Sequence, residues 1–420
     1  MQSSLNINQT VDHLFRHESG KLIAVLTKVF GPHNIELAED VVQDTLIQAM
    51  HSWKMNTIPD NPTAWLFTVA RNKAIDIIRK EKRYKEFAGD ISYLLKSEYT
   101  LSSTVNEIIS ANDIEDDQLR MMFTCCHPLL TTESQVSLVL KTLCGFSVVE
   151  IAKAFICSAD TIEKRLYRAK QQFREKKIEY EIPSGNELES RLDNVLTAIY
   201  LLFNEGYNSA QHTVIIRRDL QDEAIRLCEL LIENNHTRNP KVYALLALMY
   251  VTVARNNARI DKEGNILLLQ QQDRSLWDTA LIERGLQYME QSAEGDILTP
   301  YHLEAMIACE YILAEDYLHI NWKAILQYYD LLYQQKPSAV VALNRAVVIG
   351  ELQGPEAGIE AIHSIANIDS LKNYYLLPAI LGDMYKNAGD NKMANEYFTK
   401  AISLTSNDTE RKLLKGKMVI

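Results

Sequence analysis

Residues 147–174, SVVEIAKAFICSADTIEKRLYRAKQQFR, constrain the fold more than any other stretch of this 420-residue chain. Ser147, followed three residues later by Glu150, has capping-box spacing, which predicts a helix start there. Ile151, Ala152 and Phe155 give that helix an apolar stripe. Cys157 and Ser158 break the pattern, and Ser158 is placed to cap a second helix from about Ala159. Ile162, Leu166, Ala169 and Phe173 then recur at i, i+4, i+7 and i+11, which is one face of a helix. Lys164, Arg165, Arg168, Lys170 and Arg174 fall outside that stripe. Two short helices across a tight turn, the second pinned by one face and cationic elsewhere, predict a helix-turn-helix suited to a DNA major groove. The competing reading is an ordinary amphipathic surface helix with a solvated basic face.

The remainder is expected to be all-α. The chain has only 10 prolines and 15 glycines, with few alternating apolar runs. Its length calls for more than one domain, and 47% hydrophobic with 24% charged residues is ordinary for a globular protein. No segment is apolar for long enough to cross a bilayer, and the N-terminal MQSSLNINQ lacks a signal-peptide pattern, so a cytoplasmic protein is expected. The six cysteines form no C-x-x-C pair, which favours reduced thiols over a disulfide framework. The adjacent Cys125, Cys126 and His127 do not reproduce zinc-ligand spacing, so neither metal nor cofactor is expected. No nucleophile–base pair, phosphate-cradling loop or catalytic carboxylate pair stands out, which argues against an enzyme.

The net charge of −11 would argue against nucleic acid as an average, but its distribution does not. Residues 1–180 hold 22 basic and 23 acidic side chains, and residues 181–420 hold 22 and 32. Within the near-neutral half, residues 71–85 carry seven basic against two acidic side chains, and residues 164–177 seven against one. Two local cationic patches are the footprint of two separate DNA contacts.

In chain order, a first amphipathic helix is expected from residue 8 to about 30, ended by Gly31 and Pro32, and a second from 35 to about 53. A third, from 63 to about 84, is expected to bury Trp65, Leu66, Val69, Ala70, Ile75 and Ile78 beneath a basic face. Residues 86–117 hold eight acidic side chains and one lysine with weak periodicity, and read as an acidic linker. Helices resume near Gln118, and Pro183, Ser184 and Gly185 mark a boundary. Beyond it, Leu381, Gly382, Tyr385, Ala394, Phe398 and Ala401 have the offsets of a tetratricopeptide (TPR) hairpin. Ala346, Ile349, Gly358 and Ile362 repeat them upstream, and a looser unit begins at Ala308. Asn204 with Glu205, and Gln272, Asp273 and Arg274, are expected to be interhelical hydrogen-bonding sites.

Two cationic helical modules joined by an acidic linker, the second a helix-turn-helix, resemble an extracytoplasmic-function (ECF) sigma factor. AEDVVQDTLIQA (residues 38–49), PTAWLFTVARNKAIDIIRKEKR (62–83) and the 147–174 stretch are similar to its polymerase-docking, minus-ten and minus-thirty-five elements. FTCCHPLL (123–130), YLLFNEGY (200–207), QDRSLWD (272–278) and ALNRAVV (342–348) resemble the subgroup with a C-terminal TPR-like extension. The resemblance implies region 2 over residues 1–90, an acidic linker over 91–117, region 4 over 118–182 and a TPR-like helical domain over 183–420. It assigns polymerase docking to Glu39, Asp40, Gln43 and Asp44. Arg71, Lys73, Arg79, Lys80 and Arg83 are expected to meet promoter phosphates, and Lys164, Arg165 and Arg168 bases or phosphates. The loop at 56–61 is a candidate pocket for a flipped base; Trp65 is expected in the core. Core RNA polymerase and promoter DNA are the implied partners, with a regulatory protein or ligand for the C-terminal domain. A helix-turn-helix regulator of another kind, sensing a ligand or peptide through its repeats, is the alternative.

Overall fold

The computed structural model describes residues 2–55, 58–80, 105, 114–155, 157–176, 178–207, 216–405 and 407–418, with side chains from residue 14 onward, residue 15 excepted. Among the described residues the regular elements are α-helices and short 3-10 turns, with no strand. None of these helices is long and apolar enough to cross a membrane. Contacts group the chain into two compact units, 1–202 with 233–237, and 203–232 with 238–420.

The first unit opens with α1 (Gln2–Phe30), α2 (Ile35–Met55) and α3 (Pro62–Lys80). Gly31, at φ 84°, and Pro32 end α1 as expected, since neither continues a helix. Leu22, Val25, Leu26, Val29 and Phe30 are buried, as are Val41, Val42, Ala49, Leu66, Ala70, Ile75 and Ile78. Trp65 and Val69 differ from expectation: both are only half-buried. Trp65 lies at the edge of the α3 stripe, its ring 5.5 Å from that of the buried Trp53.

Four further helices follow: α4 (Ile114–Cys125), α5 (Thr132–Thr142), α6 (Val148–Ala154) and α7 (Ala159–Glu175). α4 starts four residues before the expected Gln118 and carries Asp117, read as linker, into a fully buried position. That burial is tolerated because Lys28 lies 3.1 Å from the carboxylate and Arg120 2.9 Å from it. α1 packs on α4, and at Gly20 it meets the end of α5, where an added Cβ would sit 2.2 Å from the Leu143 carbonyl oxygen. No other residue fits there without moving one of the two segments.

The helix α8 (Gly185–Tyr207) contributes its first turns to this same unit. Leu192, Val195, Leu196 and Ile199 are buried. Arg191 donates to the Phe123 carbonyl at 3.1 Å, and Asn194 to Gln135 at 2.7 Å.

The second unit is a succession of packed helices. After α9 (Arg218–Glu233) come α10 (Pro240–Val253), α11 (Thr279–Ser292), α12 (Pro300–Leu313), α13 (Trp322–Gln335), α14 (Ala339–Gln353), α15 (Pro355–His363), α16 (Leu376–Asn387), α17 (Asn391–Leu404) and α18 (Asp408–Lys417). The repeat logic is visible in α16 and α17. Gly382 leaves room for the buried Phe398 ring, which a Cβ would meet at 2.6 Å, and Tyr385 stacks on Tyr397. Arg274 lies over the Trp277 ring and donates to the carbonyls of Tyr311 and Ala314 at the end of α12, an interhelical hydrogen-bonding role.

The placement of α8 sets an expectation for truncation. A chain ending at residue 182 loses four buried aliphatic side chains, each worth about 1.5–3 kcal/mol, together with the Arg191 hydrogen bond. It is expected to melt well below a chain ending at residue 207, as followed by circular dichroism. Equal melting temperatures would show that α8 contributes nothing to the first unit.

Candidate nucleic-acid interface

The helix-turn-helix is built from its caps outward. Ser147 Oγ accepts from the Glu150 amide at 3.2 Å, and the Glu150 carboxylate accepts from the Ser147 amide at 2.8 Å, closing the capping box. Ser158 Oγ accepts from the Thr161 amide at 3.3 Å and starts α7. Ile162, Leu166, Ala169 and Phe173 are all buried, so one face of α7 is fixed against the protein. Its opposite face is therefore held outward.

That outward face presents Lys164, Tyr167 and Arg168. Lys164 is exposed and bonded along the helix to Asp160 at 2.7 Å. Arg165 is half-buried, its guanidinium 5.3 Å above the Phe155 ring, with Nη1 enclosed and unpartnered among the described residues. Stacking of this kind orients a guanidinium while leaving its remaining N–H groups to a ligand. Tyr167, 65% exposed between Lys164 and Arg168, did not emerge from the sequence. Its signal is an aromatic residue lying off the apolar stripe of an otherwise cationic helix.

The second cationic face lies on α3. Arg71 and Lys73 are half-buried, Arg79 and Lys80 are exposed at its C-terminal end, and Arg79 lies 3.9 Å from Asp76. Arg83, with residues 56–57 of the candidate base pocket and most of the acidic linker, lies outside the described residues.

On α2 the structure divides the expected docking set. Asp40, Gln43 and Asp44 are exposed, and Ile47 and Met50, 44% and 43% exposed, continue their face one and two turns on. Exposed apolar side chains in line with carboxylates are a contact signal that charge alone does not reveal. Glu39 instead turns toward α7, where it pairs with Lys170, and Glu36 pairs with Arg174.

Cys125 and Cys126 are buried beside this arrangement. Burial pushes the Cys125 thiol up to about 12, and that of Cys126 well above its ordinary value. Burial also lowers the pKa of His127. A raised pKa keeps a thiol protonated at neutral pH, which disfavours both nucleophilic and metal-ligand roles.

Residues 14–84 match the Sigma-70 region 2 family, residues 120–173 match Sigma-70, region 4, and residues 191–293 match a family of unknown function (DUF6596). The fold is thus that of a two-region sigma protein with a helical extension. The ECF RNA polymerase sigma factor SigL of Mycobacterium tuberculosis is 30% identical over 138 residues, covering 33% of this chain and 72% of that protein. The ECF RNA polymerase sigma factor EcfG of Rhodopseudomonas palustris is 29% identical over 140 residues, 33% of this chain and 70% of that protein. An uncharacterized protein of Rhizobium meliloti is 34% identical over 385 residues, 92% of this chain and 90% of the other. No solved structure matches. The chain belongs to the ECF RNA polymerase sigma factors, carrying a C-terminal extension.

The thiol environments give a direct check. Iodoacetamide at pH 8 is expected to modify the half-buried Cys157 and to leave Cys125 and Cys126 untouched until denaturant is added. Rapid alkylation of Cys125 and Cys126 under native conditions would contradict the buried placement.

Proposed function

We propose that this sigma factor binds core RNA polymerase through α2 and directs it to promoters through α3 and α7, and that its C-terminal helical unit regulates it. The observation that carries this reading is α7 itself, fixed by four buried side chains and turning Lys164, Tyr167 and Arg168 outward. On this reading α7 meets the minus-thirty-five box, with Arg165 and Arg168 supplying base or phosphate contacts. Arg71, Lys73, Arg79 and Lys80, with Arg83 beyond, meet phosphates near the minus-ten box and add affinity without reading sequence. Glu39, Asp40, Gln43 and Asp44 face polymerase, extended by Ile47 and Met50. In the C-terminal unit a cleft of about 400 Å³, lined by Leu269, Tyr317, Glu351, Asp383 and Met384 among others, is where a regulatory ligand or protein segment would bind.

Run-off transcription with purified core polymerase and the full chain tests this reading, and initiation at a specific start site is the expected result. No promoter-specific product at any salt concentration would defeat it. Arg165→Ala and Arg168→Ala are each expected to weaken binding of a minus-thirty-five duplex by about 1–3 kcal/mol, or to lower the salt slope by about one where the contact is to phosphate. Gel shifts across a salt series measure both, and unchanged affinity for both variants would remove α7 from the DNA interface.

A further inference from the structure

Residues 272–278, QDRSLWD, carry chemistry that neither promoter reading nor polymerase docking uses. They hold a 3-10 turn, Arg274–Leu276, that packs on a second one, Asn256–Ala258, just after α10. The Asp278 amide donates to the Ala254 carbonyl at 2.9 Å and fastens the two segments together. Arg255 and Arg274 are thereby brought over one ring, their guanidinium carbons 5.8 and 4.3 Å from the centre of Trp277. That ring is itself buried, 6% exposed, among Val251, Ala258, Cys309 and Ile312.

The donors of this cluster lack acceptors. Nη1 of Arg274 is spent on the Tyr311 and Ala314 carbonyls, but its Nη2 is enclosed without a partner among the described residues. The indole Nε1 of Trp277 is enclosed and unpartnered in the same way. Arg255 makes one long hydrogen bond, 3.4 Å from its Nε to Gln272. The nearby acids are engaged elsewhere: Asp273 accepts from Ser275, Asp278 from the Leu281 amide, and Asp316 from the amides of Leu318 and His319. Among the described residues no ion pair joins Arg255 or Arg274 to a carboxylate. Burial and the charge of Arg255 together lower the pKa of Arg274. Enclosed N–H groups without acceptors, and like charges held close, destabilise a fold unless an anion is supplied.

We propose that Arg255, Arg274 and Trp277 form a binding site for a phosphomonoester dianion. Guanidinium forks match the oxygens of a phosphate, and stacking on an aromatic ring orients the fork before the ligand arrives. A terminal phosphate carries about −1.5 to −2 charges near neutral pH and three acceptor oxygens, which suits two cations and three donor groups. A carboxylate or a phosphodiester, each a monoanion, leaves one positive charge unanswered. Both arginines are half-buried, so solvent reaches them while Trp277 stays fixed beneath. None of the three lines the 400 Å³ cleft, so this is a separate site, and it does not depend on the sigma-factor reading. Arg255 follows α10, whereas Arg274 precedes α11 and bonds the end of α12. An anion held by both therefore ties three helices of the second unit to one point.

Calorimetric titration of the full chain with glycerol phosphate, inorganic phosphate, dimethyl phosphate and acetate tests this. The first two are expected to bind, and the two monoanions to bind roughly tenfold more weakly or not at all. Arg255→Gln gives up only one long hydrogen bond in the free protein, so its circular dichroism should not change. Its affinity for both phosphates should fall about tenfold or more. A second readout is the indole N–H resonance of Trp277 in protein labelled with nitrogen-15 at its four tryptophans, identified by its loss in Trp277→Phe. Inorganic phosphate is expected to shift that resonance downfield, as a hydrogen bond to an oxyanion does. Tighter binding of glycerol phosphate marks an organic phosphate as the ligand, and equal or tighter binding of inorganic phosphate marks the free ion; both uphold the site. Absence of phosphate binding, a monoanion bound as tightly, an affinity that Arg255→Gln leaves unchanged, or an unmoved Trp277 resonance would each overturn it.

Discussion

The first unit depends on one buried carboxylate. Asp117 is wholly enclosed, where burial pushes its pKa up and the neighbouring Lys28 and Arg120 pull it back down. The Tyr180 hydroxyl sits 2.7 Å from both the Asp117 and the Ala24 carbonyl oxygens, and its single proton serves one of them at a time. This cluster ties α1, α4 and the segment after α7 to one point. Removing one partner of such a pair typically costs about 3–5 kcal/mol, because the remaining charge is left buried alone.

The ion pairs between α2 and α7 are more exposed than that joint. Lys170–Glu39 is mostly covered, whereas the partners in Arg174–Glu36 are 59% and 41% exposed and salt screens that pair readily. The links thus weaken from the Asp117 joint toward the C-terminal end of α7. Gly20 is the geometric complement: it lets α1 approach Leu143 so closely that the contact is possible only with no side chain there.

Local features of this architecture were legible in the sequence because their causes are local. The capping box at Ser147, the cap at Ser158, the stripe Ile162, Leu166, Ala169 and Phe173, and the pairing of Gly382 with Phe398 are short-range patterns, and the structure buries or bonds each as expected. The polar partners that are distant in sequence were not legible. Lys170 and Glu39 are 131 residues apart, and nothing in either neighbourhood marks the other. Asp117 reads as one more acid in a charged stretch, since its burial depends on Lys28, 89 residues earlier. Trp65 was misplaced for a related reason. Periodicity says which face a residue shares, but not how far the neighbouring helix extends to cover it.

The same distinction explains why an acidic chain can carry two cationic helices. Charge acts over about 8 Å at physiological ionic strength, so the acidic surplus of residues 181–420 matters to α3 or α7 only where it comes that close. Among the described residues, the carboxylates paired with cations of α3 and α7 include Asp76, Asp160, Glu36 and Glu39, all within the first unit, and they act by contact rather than through a mean field.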